Sequence, residues 1–308
     1  MNILKGILLK LASALMFAVM QALVRSLGEG IPVGQVVFFR AAFAIPPVVL
    51  IYALTHELAT AAHTKRPLGH VGRGLVGLAG MFFNFASLAR LPLAEVTAIS
   101  FAGPLITVAL AALMLKERVR VYRWSAVGVG FFGVLVMLAP HFDAARLAAG
   151  HTPAQTLGAV LAFAGAWCNA GAVIQTRRLT DTETTSSIVL YFSLVCAAGG
   201  LLTLPFGWVV PSAREFAVLA AIGLLGGLGH LVLTESYRYA PASVIAPYDY
   251  TAILFAFLLG YVMFGEVPTS LVVVGAVIVV AAGLFVLWRE GRLGLKRARD
   301  AEGPPSGA

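Results

Sequence analysis

The chain has 308 residues, 59% of them hydrophobic and 12% charged, with a net charge of +8. A soluble domain carries roughly 25% charged residues, so a water-soluble fold is excluded. Nor does the positive charge point to nucleic acid: phosphate binding needs clustered Lys and Arg, whereas these basic residues lie in short loops between apolar segments.

Apolar stretches of about 20 residues recur along the whole chain, each long enough to cross a ~30 Å hydrocarbon core. They are continuous rather than alternating, which predicts helices and not barrel strands. The first, Gly6 to Val24 within a helix at 5–25, follows Lys5 as a signal peptide would. It outruns a signal h-region and reads as an uncleaved helix. Further helices fall at 33–54, 69–90, 94–115, 121–140, 155–177, 186–208, 214–238, 242–264 and 269–288. The expected fold class is all-α integral membrane, with ten transmembrane helices. Cys168 and Cys196 lie inside apolar segments, away from any disulfide or metal-ligand spacing, and read as packing residues.

With the N-terminus in the cytoplasm, most Lys and Arg fall on the cytoplasmic side, including Lys5, Lys10, Lys65, Arg73, Lys116, Arg120, Arg177, Arg238 and Arg289. Arg25, Arg90, Arg146 and Arg214 face the other way. This bias places both termini inside, in the inner cell membrane.

The chain repeats itself. An offset of 149 residues lays Gly74, Gly77 and Gly80 on Gly223, Gly226 and Gly229, Ser87 on Ser236, Pro92 on Pro241 and Glu117 on Glu266. An offset of 152 lays Gly6, Leu9, Ala12, Ala14, Ala18, Arg25 and Leu27 on identical residues from 158 to 179. Five helices per half make the second copy insert upside down, giving two inverted five-helix repeats. The expected division is 1–140 and 155–288, with a loop at 141–154 and a disordered basic tail at 289–308 that contacts lipid headgroups. Inverted repeats suit alternating-access carriers.

Gly128-Val129-Gly130-Phe131-Phe132-Gly133 matches the dinucleotide fingerprint, but no strand precedes it, and small-residue helix packing explains it. No zinc, nucleophile-elbow or P-loop motif occurs, so neither an enzyme nor a cofactor or metal is expected.

The informative residues are ionisable groups at membrane depth, where a charge costs at least ~2.5–3.5 kcal/mol and needs a partner or a wet cavity. Arg40 and Asp249 each lie about eight residues into a span, Asp249 between Tyr248 and Tyr250 and next to Pro247. On a functional reading Arg40 holds an anionic or carbonyl group, and Asp249 a cation, a proton or Arg40 itself; on the other, both are structural ion-pair groups. Gln21, Asn84, Asn169 and His230 are further polar groups in apolar helices, open to helix-helix hydrogen bonding. Trp167 could stack on a ring or simply pack. Glu235 and Arg238 read as interfacial, and Glu117 and Glu266 as structural. Pro46-Pro47 and Gly199-Gly200 occupy matching places in helices two and seven, where interruptions point to a midplane site, while Gly103-Pro104 and Pro247 soften helices four and nine.

The chain resembles the drug/metabolite transporter superfamily, in its ten-helix EamA-type branch. The resemblance rests on Phe38 to Ala44, Leu91-Pro92-Leu93-Ala94-Glu95, Leu115-Lys116-Glu117-Arg118 and Phe264-Gly265-Glu266-Val267. Ala246 to Thr251 and Gly69 to Gly74 are similar to a bacterial subgroup that includes riboflavin and S-adenosylmethionine carriers. The resemblance implies two inverted five-helix repeats, a central cavity and movement of amino acids, cofactors or other metabolites, often outward. With no nucleotide-binding motif or domain in the sequence, the expected driver is a proton or solute gradient. The alternative from another class is an intramembrane enzyme acting on a lipid or isoprenoid.

Overall fold

Bilayer hydrocarbon offers backbone groups no partner, so this chain satisfies them within helices. The computed structural model describes residues 3–56, 58–114, 121–142, 153–240 and 242–301. Among these there is no strand. The helices are α1 (Ile3–Leu27), α2 (Val33–Leu54), α3 (Leu58–Ala62), α4 (Pro67–Leu88), α5 (Leu93–Ser100), α6 (Ala102–Met114), α7 (Val121–Phe142), α8 (Pro153–Leu179), α9 (Thr185–Leu201), α10 (Ala213–Tyr239), α11 (Ala242–Ile245), α12 (Thr251–Phe264) and α13 (Ser270–Ala301). Nine spans among the described residues are long and apolar enough to cross a membrane, α5 and α6 together forming one of them, and Ser186–Leu201 is a shorter apolar tenth.

Helices four and nine of the sequence reading are each broken. Helix four stops at Phe101 between α5 and α6. Pro104 has no N–H to give the Ser100 carbonyl, which removes one rung of the ladder there. Helix nine passes from α11 through a 3₁₀ turn, Ala246–Tyr250, into α12, with Pro247 in the turn. Pro46-Pro47, by contrast, sit inside the unbroken α2, and Gly199-Gly200 close α9 at Leu201, short of the expected 208. The last helix runs through Ala301, beyond Arg289, where the sequence reading starts a disordered tail; 302–308 lie outside the described residues, as does most of the 141–154 loop.

Each contact of one half's helix with the other half has a counterpart when the halves are exchanged. α1 lies along α10 as α8 lies along α4, and α2 against α10 as α9 against α4. α2 also meets α9, α7 meets α13 and α5 meets α12. Exchange of the halves leaves this pattern unchanged, as a two-fold relation requires. At the α2/α9 crossing Gly200 lets the backbones touch: a Cβ there would stand 2.7 Å from the Phe38 nitrogen and 2.8 Å from its Cα.

Outside the spans, Glu183 binds the turn before α9 to the start of α4. It accepts from the Lys65 N–H at 2.9 Å and lies 3.3 Å from His70 Nε2, whose ring stacks on Tyr191 at 4.7 Å. Burial works against the Glu183 charge, but the His70 ring beside it and hydrogen bonds from Lys65 and Thr64 outweigh it and hold the carboxyl below its ordinary value. The stability this gives is present above about pH 4.3 and is lost as pH falls through the depressed folded value.

Two measurements of detergent-solubilised protein check this account. Glu183→Gln lowers the melting midpoint at pH 7, by the equivalent of roughly 1–3 kcal/mol, and the gap closes as pH drops below about 4. Gly200→Ala lowers the midpoint through overpacking, by about 1–3 kcal/mol, whereas Gly128→Ala, whose added Cβ meets nothing within 4 Å, does not.

Candidate functional site

The two helix breaks face one another. Under the 149-residue offset Ser100 and Phe101 correspond to Asp249 and Tyr250, and the rings of Phe101 and Tyr250 stack at 5.0 Å with 25° between planes. Around them opens a cavity of about 640 Å³, lined by Phe17, Met20, Gln21, Asn84, Thr97, Ser100, Phe101, Asn169, Asp249 and Tyr250, with Arg123 and Arg177 also at its wall. That volume lies in the range of small-molecule sites.

Asp249 sits in the 3₁₀ turn, with half of its side chain exposed to the cavity. Its Oδ1 is 2.5 Å from the Nζ of Lys10, whose own side chain is 4% exposed. The Tyr237 ring lies 5.7 Å from the same ammonium. The partner of Asp249 is therefore Lys10 and not Arg40. Lys10, which the sequence reading assigns to the cytoplasmic flank, is a buried charge of the interior. Its position seven residues into an apolar helix, matched by a carboxylate equally far into helix nine, is the pattern that could have found it.

Arg40 is 5% exposed and stands apart from the cavity wall. Its nearest polar neighbour is His230, Nη2 to Nε2 at 3.2 Å, and its Nε has no hydrogen-bond partner. No carboxylate lies within 4 Å of it among the described residues. His230 packs edge-on against Phe17 at 4.9 Å, so a single aromatic layer separates this pair from the cavity.

The sequence candidates thus divide. Gln21, Asn84, Asn169, Asp249 and Tyr250 line one cavity, with Asn84 Nδ2 donating to the Ser100 hydroxyl at 3.4 Å. Arg40 and His230 form a pair behind it. Tyr248 is in the same turn as Asp249, and its carbonyl accepts the Thr251 hydroxyl at 2.7 Å. Trp167 is 45% exposed and does not line the cavity. Among the described residues no His, Cys, Asp and Glu group has the makings of a metal site.

Comparison with known proteins agrees with this architecture. The chain is 31% identical to an S-adenosylmethionine uptake transporter of Rickettsia prowazekii (strain Madrid E), over 93% of this chain and 94% of that one. It is 30% identical to the pseudopaline exporter CntI of Pseudomonas aeruginosa, over 90% and 94%, and 26% identical to a riboflavin transporter of Vibrio cholerae, over 92% and 93%. A solved crystal structure with 19% identity superimposes with a TM-score of 0.62, covering 92% of this chain and 98% of the other, and so shares the fold. The EamA-like transporter family matches twice, over residues 4–139 and 156–288. With a family match in each half and full-length relatives that are named transporters, the chain belongs to the EamA-like transporter family and is a multi-pass membrane transporter of small molecules.

Proposed function

We propose that this protein is a secondary carrier that moves a small polar metabolite with a cationic centre across the inner membrane by alternating access, with both termini in the cytoplasm. The observation that carries the reading is Asp249: a carboxylate facing a cavity at the break of one half's helix, neutralised by a buried ammonium. A charge pair at this depth is stable only while both members stay paired. A substrate cation, or a proton, that takes over the carboxylate frees the Lys10 ammonium, so occupancy is linked to a rearrangement of α1 against the Ala246–Tyr250 turn. The stacked Phe101 and Tyr250 offer a flat apolar surface beside the charge. Ser100, Gln21, Asn84 and Asn169 supply hydrogen-bonding groups for the rest of the solute. Arg40, one layer behind, is positioned for an anionic group if Phe17 swings aside.

Similarity to an S-adenosylmethionine carrier and a riboflavin carrier supports a solute with a ring, and S-adenosylmethionine also brings a sulfonium cation. Coupling to a proton or solute gradient fits the absence of a nucleotide-binding motif in the sequence. The excess of Lys and Arg in alternate loops supports the orientation, and moving Lys10 to the interior leaves that excess in place.

Thermal unfolding in detergent against amino acids, nucleosides, flavins and sulfonium compounds tests the reading. A ligand at a hundredfold excess over its Kd stabilises by about 2.7 kcal/mol. The expected outcome is a rise in midpoint with one cationic class that Asp249→Asn abolishes without unfolding the protein; a full response in Asp249→Asn would remove Asp249 from the site. Lys10→Gln, which deletes the competing ammonium, is expected to tighten binding of the same ligand about tenfold, the equivalent of ~1.4 kcal/mol. Weaker binding in Lys10→Gln would show that Lys10 helps to hold the solute.

A further inference from the structure

Not every cation within the helices has an acid to meet. Lys10 has Asp249. Arg25, in the last turn of α1, donates to Glu266 Oε1 at 2.5 Å and to the Leu88 carbonyl at 2.8 Å, and the other Glu266 oxygen accepts the Leu93 N–H at 2.9 Å. Arg40 and Arg73 differ. Among the described residues no carboxylate pairs with either of them. Arg40 shares Nη2 with His230, but its Nε is buried without a hydrogen-bond partner. Arg73 donates from Nε to the Thr176 hydroxyl of α8 at 3.1 Å and lies over the Phe192 ring of α9 at 4.0 Å, while its Nη1 is likewise buried and unpartnered.

The two guanidinium groups share one region of the bundle. Arg40 is on α2 and Arg73 on α4, helices that both pack against α9. Each charge acts on the other, on His230 and on the fully buried Cys196 of α9. Each unpartnered nitrogen lies beside a glycine, where no side chain answers it: a Cβ at Gly226 would stand 3.2 Å from Arg40 Nε, and one at Gly77 3.5 Å from Arg73 Nη1.

The repeat shows that packing does not require these charges. The 153-residue offset that lays Pro46-Pro47 on Gly199-Gly200 lays Arg40 on Ser193, whose hydroxyl turns back to the Val189 carbonyl of its own helix at 3.0 Å. The 149-residue offset lays Gly77 on Gly226, and Arg73 on the wholly buried Ile222. Neutral residues thus fill the equivalent places, and an uncompensated buried charge is costly.

We infer that Arg40 and Arg73 form a binding site for one small monovalent anion, apart from the Asp249 cavity. Guanidinium N–H groups hold such ions by charge-assisted hydrogen bonds, and one anion beside two cations offsets both their burial and their mutual repulsion. A multiply charged ion such as phosphate is disfavoured, because the cost of taking an ion out of water rises steeply with its charge. Two sources offer the chemistry: chloride from solution, and the carboxylate of a carried solute that passes the Phe17 layer. Only the second rests on the carrier reading above.

The test is thermal unfolding of the full chain in detergent, with sodium gluconate, whose polyhydroxy chain keeps it out of a dry interior, replaced at constant ionic strength by sodium chloride or by sodium acetate. The midpoint is expected to rise by several degrees and level off, as binding to the folded state requires. A rise with chloride assigns the site to a halide, and a rise with acetate alone assigns it to a solute's carboxylate. Arg40→Gln and Arg73→Gln are each expected to lose the rise, and Arg238→Gln, on an exposed arginine in the last turn of α10, to keep it. Should Arg40→Gln fail to accumulate, Arg73→Gln is read by itself. No rise with either salt, or a rise that survives Arg73→Gln, overturns the site in favour of a purely structural role. An anion response lost in Arg73→Gln, in a protein that no metabolite stabilises, would keep the site and retire the carrier reading. Metabolite binding without any anion response would retire the site alone.

Discussion

Everything in this molecule follows from the cost of leaving a polar group unmet in hydrocarbon. Backbone amides and carbonyls have no water to turn to, so the chain is helical wherever lipid surrounds it. The two places where a span gives up its helical ladder, Phe101 and Ala246–Tyr250, are the two that border the cavity. Irregular backbone at membrane depth is tolerated only where it lines such a space, and among the described residues the breaks within the spans lie nowhere else.

The same cost governs the charges. Lys10 is almost wholly buried and paired with a carboxylate on the cavity wall. Arg40 has no carboxylate beside it among the described residues and leans on the His230 ring. The Arg25 and Glu266 pair is the third solution: a shielded charge that spends its second oxygen on a helix-terminal amide. These are a cavity-facing pair, a buried cation beside a histidine and a tie between helix ends, and they differ in what each charge can see: cavity, protein interior or helix end.

Pseudo-symmetry then distributes these solutions unequally. Ser100 and Asp249 hold equivalent positions, as do Phe101 and Tyr250, yet only the second half carries the charge. The stacked rings keep the symmetric contact on the axis. The asymmetric neighbours, Lys10 on one side and Asn84 on the other, make the two walls of the cavity chemically different. Packing thus treats both halves alike, while the turn at Asp249 and its counterpart at Ser100 differ in charge.

By itself the sequence determined the membrane class, the helical nature and number of the spans, and the repeat with its offsets, because each is a one-dimensional property: apolar run length, continuity and residue identity at a fixed spacing. It also marked Asp249 and Arg40, since any ionisable group in an apolar run is conspicuous. Which charge met which was decided only by the tertiary structure. Lys10 reads as a flank residue until α1 is laid beside the Ala246–Tyr250 turn, more than two hundred residues away, and whether Trp167 meets the cavity stays open until α8 takes its rotation. The breaker pairs of helices two and seven outweighed Gly103-Pro104 and Pro247 on the page, yet α2 runs on through its prolines while helices four and nine break. A span's tolerance of a missing hydrogen bond is set by what packs around it, and pairing, rotation and packing are relations between helices that no single stretch of chain contains.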